Sequence, residues 1–114
     1  MRYMLMICDD ESGQVGPPAE VAADPRFRAW NEEVETRQVV LRGGARLRPS
    51  SDATTVRVRD GEVLLSDGPF AESKEQMGGY AIVECADLDE AIEVASKHPV
   101  AKFGVIEVRP IWEA

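Results

Sequence analysis

The sequence is poor in the residues that most often build metal and redox centres. Its 114 residues include one histidine and two cysteines, so a zinc site of the usual Cys/His type is not expected. Cys8 and Cys85 do not form a C-x-x-C motif, and a single pair is not a disulfide framework. We therefore predict neither a metal nor a cofactor.

Positive charge is also scarce. Thirteen Lys and Arg residues face 21 Asp and Glu residues, which gives a net charge of −8 at pH 7. A surface of this sign repels phosphate, so we expect no nucleic acid and no membrane as a partner. No apolar run approaches the roughly 20 residues of a membrane span, and the N-terminus lacks the pattern of a signal peptide. These absences favour a cytoplasmic protein.

What is present suits one folded unit. Apolar residues make up 44% of the chain and charged residues 30%, a balance typical of a globular protein rather than a disordered one. The chain shows no repeat, low-complexity tract or linker. We predict a single domain over residues 1–114 with one core.

The first half predicts a strand, a helix and a second strand. Arg2–Cys8 is apolar on both alternating faces, which indicates a strand that is covered on both sides. Asp24 and Pro25 are typical of the cap and first position of a helix, which we expect to end at Gly43–Gly44 before a short strand. Its predicted apolar stripe is Phe27, Trp30 and Val34.

The second half predicts a hairpin, a strand, a helix and a last strand. Asp60–Gly61 lies between two alternating runs, a strong signal for a type I′ turn. Strands are expected at Gly78–Cys85 and Phe103–Trp112, with Trp112 anchoring the C-terminal tail. Asp87 and Glu90 have the spacing of a helix cap. The predicted stripe of this helix is Leu88, Ala91, Ile92 and Ala95.

This order of elements predicts an α+β fold of the ferredoxin-like, split βαβ kind with an inserted hairpin. Two helices can cover only one face of such a sheet, so we expect a second copy on the other face. The prediction is a homodimer, a dimeric α+β barrel. Cys8 and Cys85 would lie at opposite ends of the sheet, too far apart for a disulfide, and free thiols fit a reducing compartment.

Four stretches resemble one known family. They are "RYMLMI", "TTVRVRDGEVLLSDGPFAESKEQMGGYAIVE", "DLDEAIEVASKHP" and "IEVRPIW", and they are similar to the YCII-related family in its branch named for the Asp-Gly-Pro-Phe motif. The resemblance implies a dimeric α+β barrel. It also implies genes near those of extracytoplasmic-type sigma factors, so a sigma factor is a candidate partner. A sister branch has a His–Asp pair with the histidine in the first half of the chain, where this sequence has none.

Asp67, in the "SDGPF" turn, has two interpretations. As a structural residue it would hydrogen-bond the backbone of a short helical turn over Ala71–Met77. As a functional residue it would hold a carboxylate, beside Phe70, at the mouth of a cleft.

Other candidates come from the charged and aromatic residues. Lys74 could meet an anionic ligand or simply face water, and Tyr80 lies on a central strand. Glu107 and Arg109 alternate with Ile106 and Val108, so they would face the space between sheets as an ion pair or as a ligand clamp.

His98 follows the last turn of a helix. Protonated, it would interact with the helix dipole, and it is also a candidate general base.

Three hypotheses of function follow. The protein binds a small apolar-aromatic or anionic ligand between sheet and helices, and by analogy with other barrels of this kind it performs cofactor-independent chemistry there. Alternatively, it is a regulatory or interaction protein that acts with a sigma factor. In the third hypothesis the central motif is structural and locks the dimer.

Overall fold

A computed structural model describes residues 1–113, which form six strands and three α-helices. The elements are β1 Arg2–Asp9, α1 Pro18–Ala23, α2 Pro25–Thr36, β2 Val40–Arg46, β3 Thr54–Arg59, β4 Glu62–Asp67, β5 Gln76–Glu84, α3 Leu88–Ser96 and β6 Val105–Pro110, with short 3₁₀ turns at Ser50–Asp52 and Pro99–Lys102. The predicted mixture of helices and strands in one α+β fold is confirmed.

Four of the strands form one antiparallel sheet in the order β2-β5-β1-β6. This order agrees with the split βαβ plan, in which the first and third strands of the sheet are central neighbours. Leu5 on β1 lies directly opposite Ala81 on β5 and Val108 on β6. Since opposite residues share a face, these three side chains lie on the same side of the sheet.

Helices α2 and α3 cover that side. Leu5 and Val83 from the sheet, and Val34 and Val94 from the helices, are almost completely buried. The indole Nε1 of Trp30 donates to the carbonyl oxygen of Val94 at 2.8 Å, which joins the two helices and satisfies a buried polar group. Each such apolar side chain contributes about 1.5–3 kcal/mol by leaving water.

The start of α2 is confirmed, but its predicted end is wrong. The carboxylate of Asp24 accepts from the backbone N–H of Arg26 at 2.9 Å, and Pro25 is the first helical residue. The helix ends at Thr36, two residues before Gln38 with its φ of 60°. Gly44 belongs to β2 instead, where a Cβ would lie 2.6 Å from the carbonyl oxygen of Tyr80. Glycine is required there by the close approach of two strands.

The cap of α3 is confirmed. Asp87 accepts from the backbone N–H of Glu90 at 2.9 Å, and the Glu90 carboxylate accepts from that of Ala86 at 3.0 Å.

The predicted stripe of α3 is only partly correct. Ala91, Val94 and Ala95 are buried, whereas Leu88 and Ile92 are about half exposed. The sheet lies under a stripe centred on Val94, so the face of the helix is rotated from the one expected.

The inserted hairpin is confirmed and stands apart from the main sheet. Strands β3 and β4 pair only with each other, as a separate two-stranded sheet. Asp60 and Gly61 have φ values of 51° and 77°, as a type I′ turn requires. We call residues Thr54–Asp67 the arm. It is exposed along almost its whole length.

Within residues 1–113, no helix lies on the second face of the main sheet, which we call the open face. Met4 and Met6 lie opposite Ile82 and Tyr80, and all four side chains are half-buried. Glu107 is on the same face, opposite Met6. The prediction that two helices cover one face only is confirmed.

Two further expectations concern the separation of Cys8 and Cys85 and the role of Trp112. Cys8 lies opposite Met77, whereas Cys85 is bonded through its N–H to Met1 at the other end, and both thiols are free. Trp112 is 95% exposed, so its predicted role as an anchor is wrong: β6 ends at Pro110, before Trp112 can reach the core. Of the helices in residues 1–113, none is long and apolar enough to cross a membrane.

Candidate functional site

The structure distributes the predicted site residues over three places. Asp67 and Phe70 lie at the base of the arm, and Glu107 and Arg109 lie on the last strand of the main sheet. His98 lies between the sheet and α2, against Phe27 and Trp30. The single chain therefore does not bring the predicted residues into one cleft.

The Asp-Gly-Pro-Phe turn is closed by one backbone bond and one bond from a side chain. The N–H of Gly68 donates to the Ala53 carbonyl oxygen at 2.7 Å, and the Thr55 hydroxyl donates to the Gly68 carbonyl oxygen at 2.8 Å. Gly68 has a φ of 92°, a conformation that favours glycine. Asp67 is the exposed last residue of β4 and its carboxylate takes no part in these bonds.

The segment after this turn is not helical. Residues 71–75 contain bends and no helix, and β5 begins at Gln76, so the expected helical turn over Ala71–Met77 is wrong. The Gln76 amide donates to the carbonyl oxygens of Ala71 and Ser73, both at 3.1 Å. These bonds close the segment on its own backbone and leave Lys74 exposed.

Phe70 borders an open groove at the base of the arm. The side chain is 81% exposed. The groove has a volume of about 650 Å³ and is also lined by Pro69, Gln76, Met77 and the segment from Leu47 to Thr55. Its walls come from both the arm and the main sheet, so its shape depends on how the arm is held.

Glu107 and Arg109 form an ion pair with each other on β6. Their alternation with the half-buried Ile106 and Val108 is confirmed. Half or more of each charged side chain is exposed, and such surface pairs contribute about 1 kcal/mol or less. Tyr80 lies on the same side of the sheet as Glu107, since both are opposite Met6.

A better enclosed space, which we call the inner cavity, lies between the sheet and α2. Its volume is about 170 Å³, close to that of a cavity that holds one benzene molecule. Most of its wall is apolar. The apolar side chains are Ile7, Val15, Val21, Phe27, Trp30, Ala81 and Val100, and the charged or titratable ones are Asp9, Arg46 and His98.

His98 is the most buried polar side chain of this wall, with 4% of its surface exposed. Its ring packs edge-on against Trp30 and Phe27, with centroids 4.9 and 5.4 Å away. Burial lowers the pKa of His98 to about 4, so the imidazole is neutral at pH 7. A neutral imidazole does not make the charge–dipole interaction that a protonated His98 would make.

The tautomer of His98 follows from its one hydrogen bond. Nδ1 accepts from the backbone N–H of Val100 at 3.1 Å, so the ring proton is on Nε2. No buried side-chain nitrogen or oxygen in residues 1–113 lacks a partner, and Nε2 has no bond of its own. Nε2 is therefore not fully buried, and a protonated Nε2 can donate a hydrogen bond.

Asp9 and Arg46 supply the other polar groups. Asp9 is 9% exposed, and its Oδ1 accepts from the N–H of Glu11 at 2.9 Å. The Arg46 guanidinium donates to the carbonyl oxygens of Gly78 and Val15 rather than to a carboxylate. The hydrogen bonds that the Glu11 carboxyl accepts lower its pKa, and the charge of the nearby Arg46 lowers it further, so Arg46 is a partly compensated cation beside the cavity.

Two of these three polar residues were missed by sequence reasoning. A signal existed for Asp9, because it continues the inward-facing positions Tyr3, Leu5 and Ile7 of a strand that is covered on both sides. Arg46 gave no such signal, since it lies at the end of a strand with seven exposed residues.

No group of three or more His, Cys, Asp or Glu side chains within residues 1–113 is arranged to hold a metal ion.

Comparison with known proteins identifies the family of the chain. The model of the YCII-related domain matches residues 1–114, and the chain belongs to the YCII-related family. It is also similar to an uncharacterized protein of Rhizobium meliloti (strain 1021), with 46% identity over 69 residues. That match covers 59% of this chain and 56% of the relative, so the chain spans about half the length of that relative.

Proposed function

We propose that this protein binds a small ring-sized ligand in the inner cavity. The observation that carries the proposal is His98, a nearly buried imidazole in the mostly apolar wall of the cavity, whose Nε2–H has no protein partner within residues 1–113. Nε2 is not fully buried, so water can bond to it, and a ligand with an acceptor group would take the place of that water.

The wall of the cavity defines the ligand further. Phe27 and Trp30 offer aromatic edges and faces to a flat apolar ring. The acceptor atom of the ligand meets Nε2 of His98, and Asp9 accepts from a donor on the same molecule. Arg46 favours an anionic group at the rim.

Cofactor-independent catalysis is an extension of this proposal. A neutral imidazole N–H stabilises negative charge that develops on a carbonyl or enol oxygen. The carboxylate of Asp9 is suited to accept a proton from the same substrate. In this scheme His98 donates a hydrogen bond and Asp9 is the base. The sequence analysis instead predicted His98 as the base and Asp67 as the other catalytic residue.

A fragment screen by NMR tests the proposal. With the histidine side chain labelled with ¹⁵N, a ligand in the inner cavity shifts the Nε2–H resonance of His98. We expect His98→Gln and Asp9→Asn to weaken such a fragment at least tenfold, because a site built around a polar contact loses most when that contact is removed. If His98→Gln does not fold, Asp9→Asn carries the test alone.

Asp67→Asn and Arg109→Ala are the matched controls. Both change exposed charged residues outside the cavity wall, so they should leave the affinity unchanged. A fragment that needs Asp67 or Arg109, and tolerates Asp9→Asn, would contradict the inner cavity and restore the site predicted from the sequence.

The assembly, the branch of the family and the cellular location are part of the same proposal. We infer a homodimer in which the open faces meet, supported by the half-buried Met4, Met6, Tyr80 and Ile82. The "SDGPF" turn supports the Asp-Gly-Pro-Phe branch. Two free thiols support a reducing, cytoplasmic location.

A regulatory role with a sigma factor is the alternative. The net charge of −8 supports it, because an acidic protein attracts a basic partner. A pull-down with a purified extracytoplasmic-type sigma factor, carried out at physiological salt, tests it. Retention would favour regulation, and retention lost only at His98→Gln would connect the partner to the cavity.

A further inference from the structure

The arm has an apolar face that nothing in the described chain covers. Val56 is directly opposite Leu65, and Val58 is opposite Val63, so these four side chains share one face of the ribbon. Between 57% and 67% of each is exposed. The other face carries Arg57, which lies opposite Leu64. The ribbon is therefore amphipathic, although its apolar side has no core to face.

The arm also projects from the rest of the chain. The radius of gyration is 15.8 Å, whereas a compact chain of this length has about 13 Å. At its base the arm is held by the bonds of Gly68 and Thr55 described above. A single two-stranded hairpin is at best marginally stable in water, so burial of the apolar face against a partner would stabilise the arm.

We propose that the apolar face of the arm packs on a second copy of this chain. The inference rests on the homodimer proposed above and assigns it an interface beyond the two open faces. In a twofold dimer each copy would give one arm and receive one.

The apolar area of the arm supports a second copy of the chain as its partner. A fully buried Val or Leu removes on the order of 100 Å² of apolar surface from water, so the four side chains offer roughly 250 Å² per copy. Two arms and the surfaces they cover amount to about 1,000 Å² in total. The meeting of the open faces adds to this, and the sum reaches the range of 1,200–2,000 Å² that is typical of specific, stable interfaces.

The chemistry of the open face also favours a second copy. It carries flexible Met4 and Met6 beside Tyr80 and Ile82, and methionine adapts its shape to an apolar partner. A single chain thus exposes both an apolar ribbon and an apolar sheet face. One symmetric assembly can cover both without any other protein.

Two neighbouring residues allow a matched test. Leu65 is on the apolar face of the arm and Leu64 on the opposite face. We expect Leu65→Asp to raise the dimer dissociation constant about 100-fold, since it acts twice in a symmetric dimer. Leu64→Asp should change it less than about fivefold, because a rim or solvent position contributes little. Sedimentation equilibrium over a dilution series measures both constants.

The possible outcomes distinguish the proposed homodimer from the proposed arm interface. A wild-type chain that stays monomeric overturns the homodimer and the arm interface together. A wild-type dimer with equal effects of Leu65→Asp and Leu64→Asp, or with no effect of either, overturns the arm interface alone. If the aspartate disrupts the hairpin, Val63→Thr keeps the shape and strand preference of the residue, and we expect a weakening of about tenfold.

Discussion

The helix-covered face of the main sheet and the apolar face of the arm are built from similar residues with opposite burial. Leu5 and Val83 are 0% exposed, whereas Val58 and Leu65 are 57% and 67% exposed. Both faces follow the same alternation of apolar residues along a strand. The difference shows that alternation specifies an apolar face, while the cover for that face is specified elsewhere: by α2 and α3 in one case, and by a second chain in our proposal for the other.

The largest difference between the two faces should appear in the free energy of unfolding when one side chain of each face is truncated. Leu5→Ala leaves a cavity in a closed core and should lower the free energy of unfolding by about 2–5 kcal/mol. Val63→Ala should cost well under about 1 kcal/mol in dilute protein, and more as the protein concentration rises, because dimerisation stabilises the folded chain. Urea unfolding at several concentrations measures both. A loss below about 1 kcal/mol for Leu5→Ala would contradict the assigned core.

The stability of the protein should depend on pH through His98, which lies on the helix-covered side of the sheet. The pKa of His98 is lowered to about 4 from an ordinary value of 6.5, so the unfolded chain binds a proton first as the pH falls. Stability from this residue is present above pH 6.5 and is lost between pH 6.5 and about 4, by about 3 kcal/mol at most.

Comparison with His98→Gln isolates this effect from the carboxylates that also titrate. The wild-type protein should lose more stability than the variant between pH 7 and pH 4, as measured by urea unfolding. Parallel curves for the two proteins would show that His98 titrates normally and is not buried as described.

Substitution of Trp30, in the helices that cover the sheet, should lower stability by a smaller amount. Trp30→Phe removes the Nε1–H that donates to the Val94 carbonyl oxygen. That oxygen still accepts from the backbone N–H of Lys97 at 3.3 Å, so the expected cost is that of one net hydrogen bond, about 1 kcal/mol. Thermal unfolding of the variant measures the loss. An unchanged midpoint would mean that the bond between α2 and α3 has no net effect on stability.

The smallest expected changes in stability come from substituting two aspartates, Asp24 and Asp67. Asp24→Ala removes the cap of α2 and should cost about 1 kcal/mol. Asp67→Ala removes an exposed carboxylate that the closing bonds of its turn do not use, and should change the stability of the single chain by less than about 0.5 kcal/mol. A larger loss for Asp67→Ala that grows with protein concentration would support the hypothesis that this motif locks the dimer.

Features encoded by neighbouring residues could be predicted from the sequence. Asp24 with Pro25, Asp87 with Glu90, and Asp60 with Gly61 each act through local hydrogen bonds or backbone angles, and the structure confirms all three. The end of α2 could not be placed in this way. Gly44 is read as a helix stop in isolation, and only its approach to Tyr80 on another strand explains it.

The candidate site depends on contacts that are distant in sequence. His98 is buried because Phe27 and Trp30, some 70 residues earlier, pack on its ring. Asp9 reaches the same cavity from the end of β1. No local pattern joins these positions, so sequence reasoning assigned His98 to a helix end and located the site at the more recognisable turn of Asp67.

Hydrogen–deuterium exchange along the arm tests most directly whether a second copy covers what this chain leaves exposed. In a sample that sedimentation shows to be dimeric, we expect the amides of residues 54–67 to exchange slowly, nearly as slowly as those of β1, and to lose this protection on dilution to the monomer. Fast exchange throughout the arm in the dimer, beside a protected β1, would contradict the account.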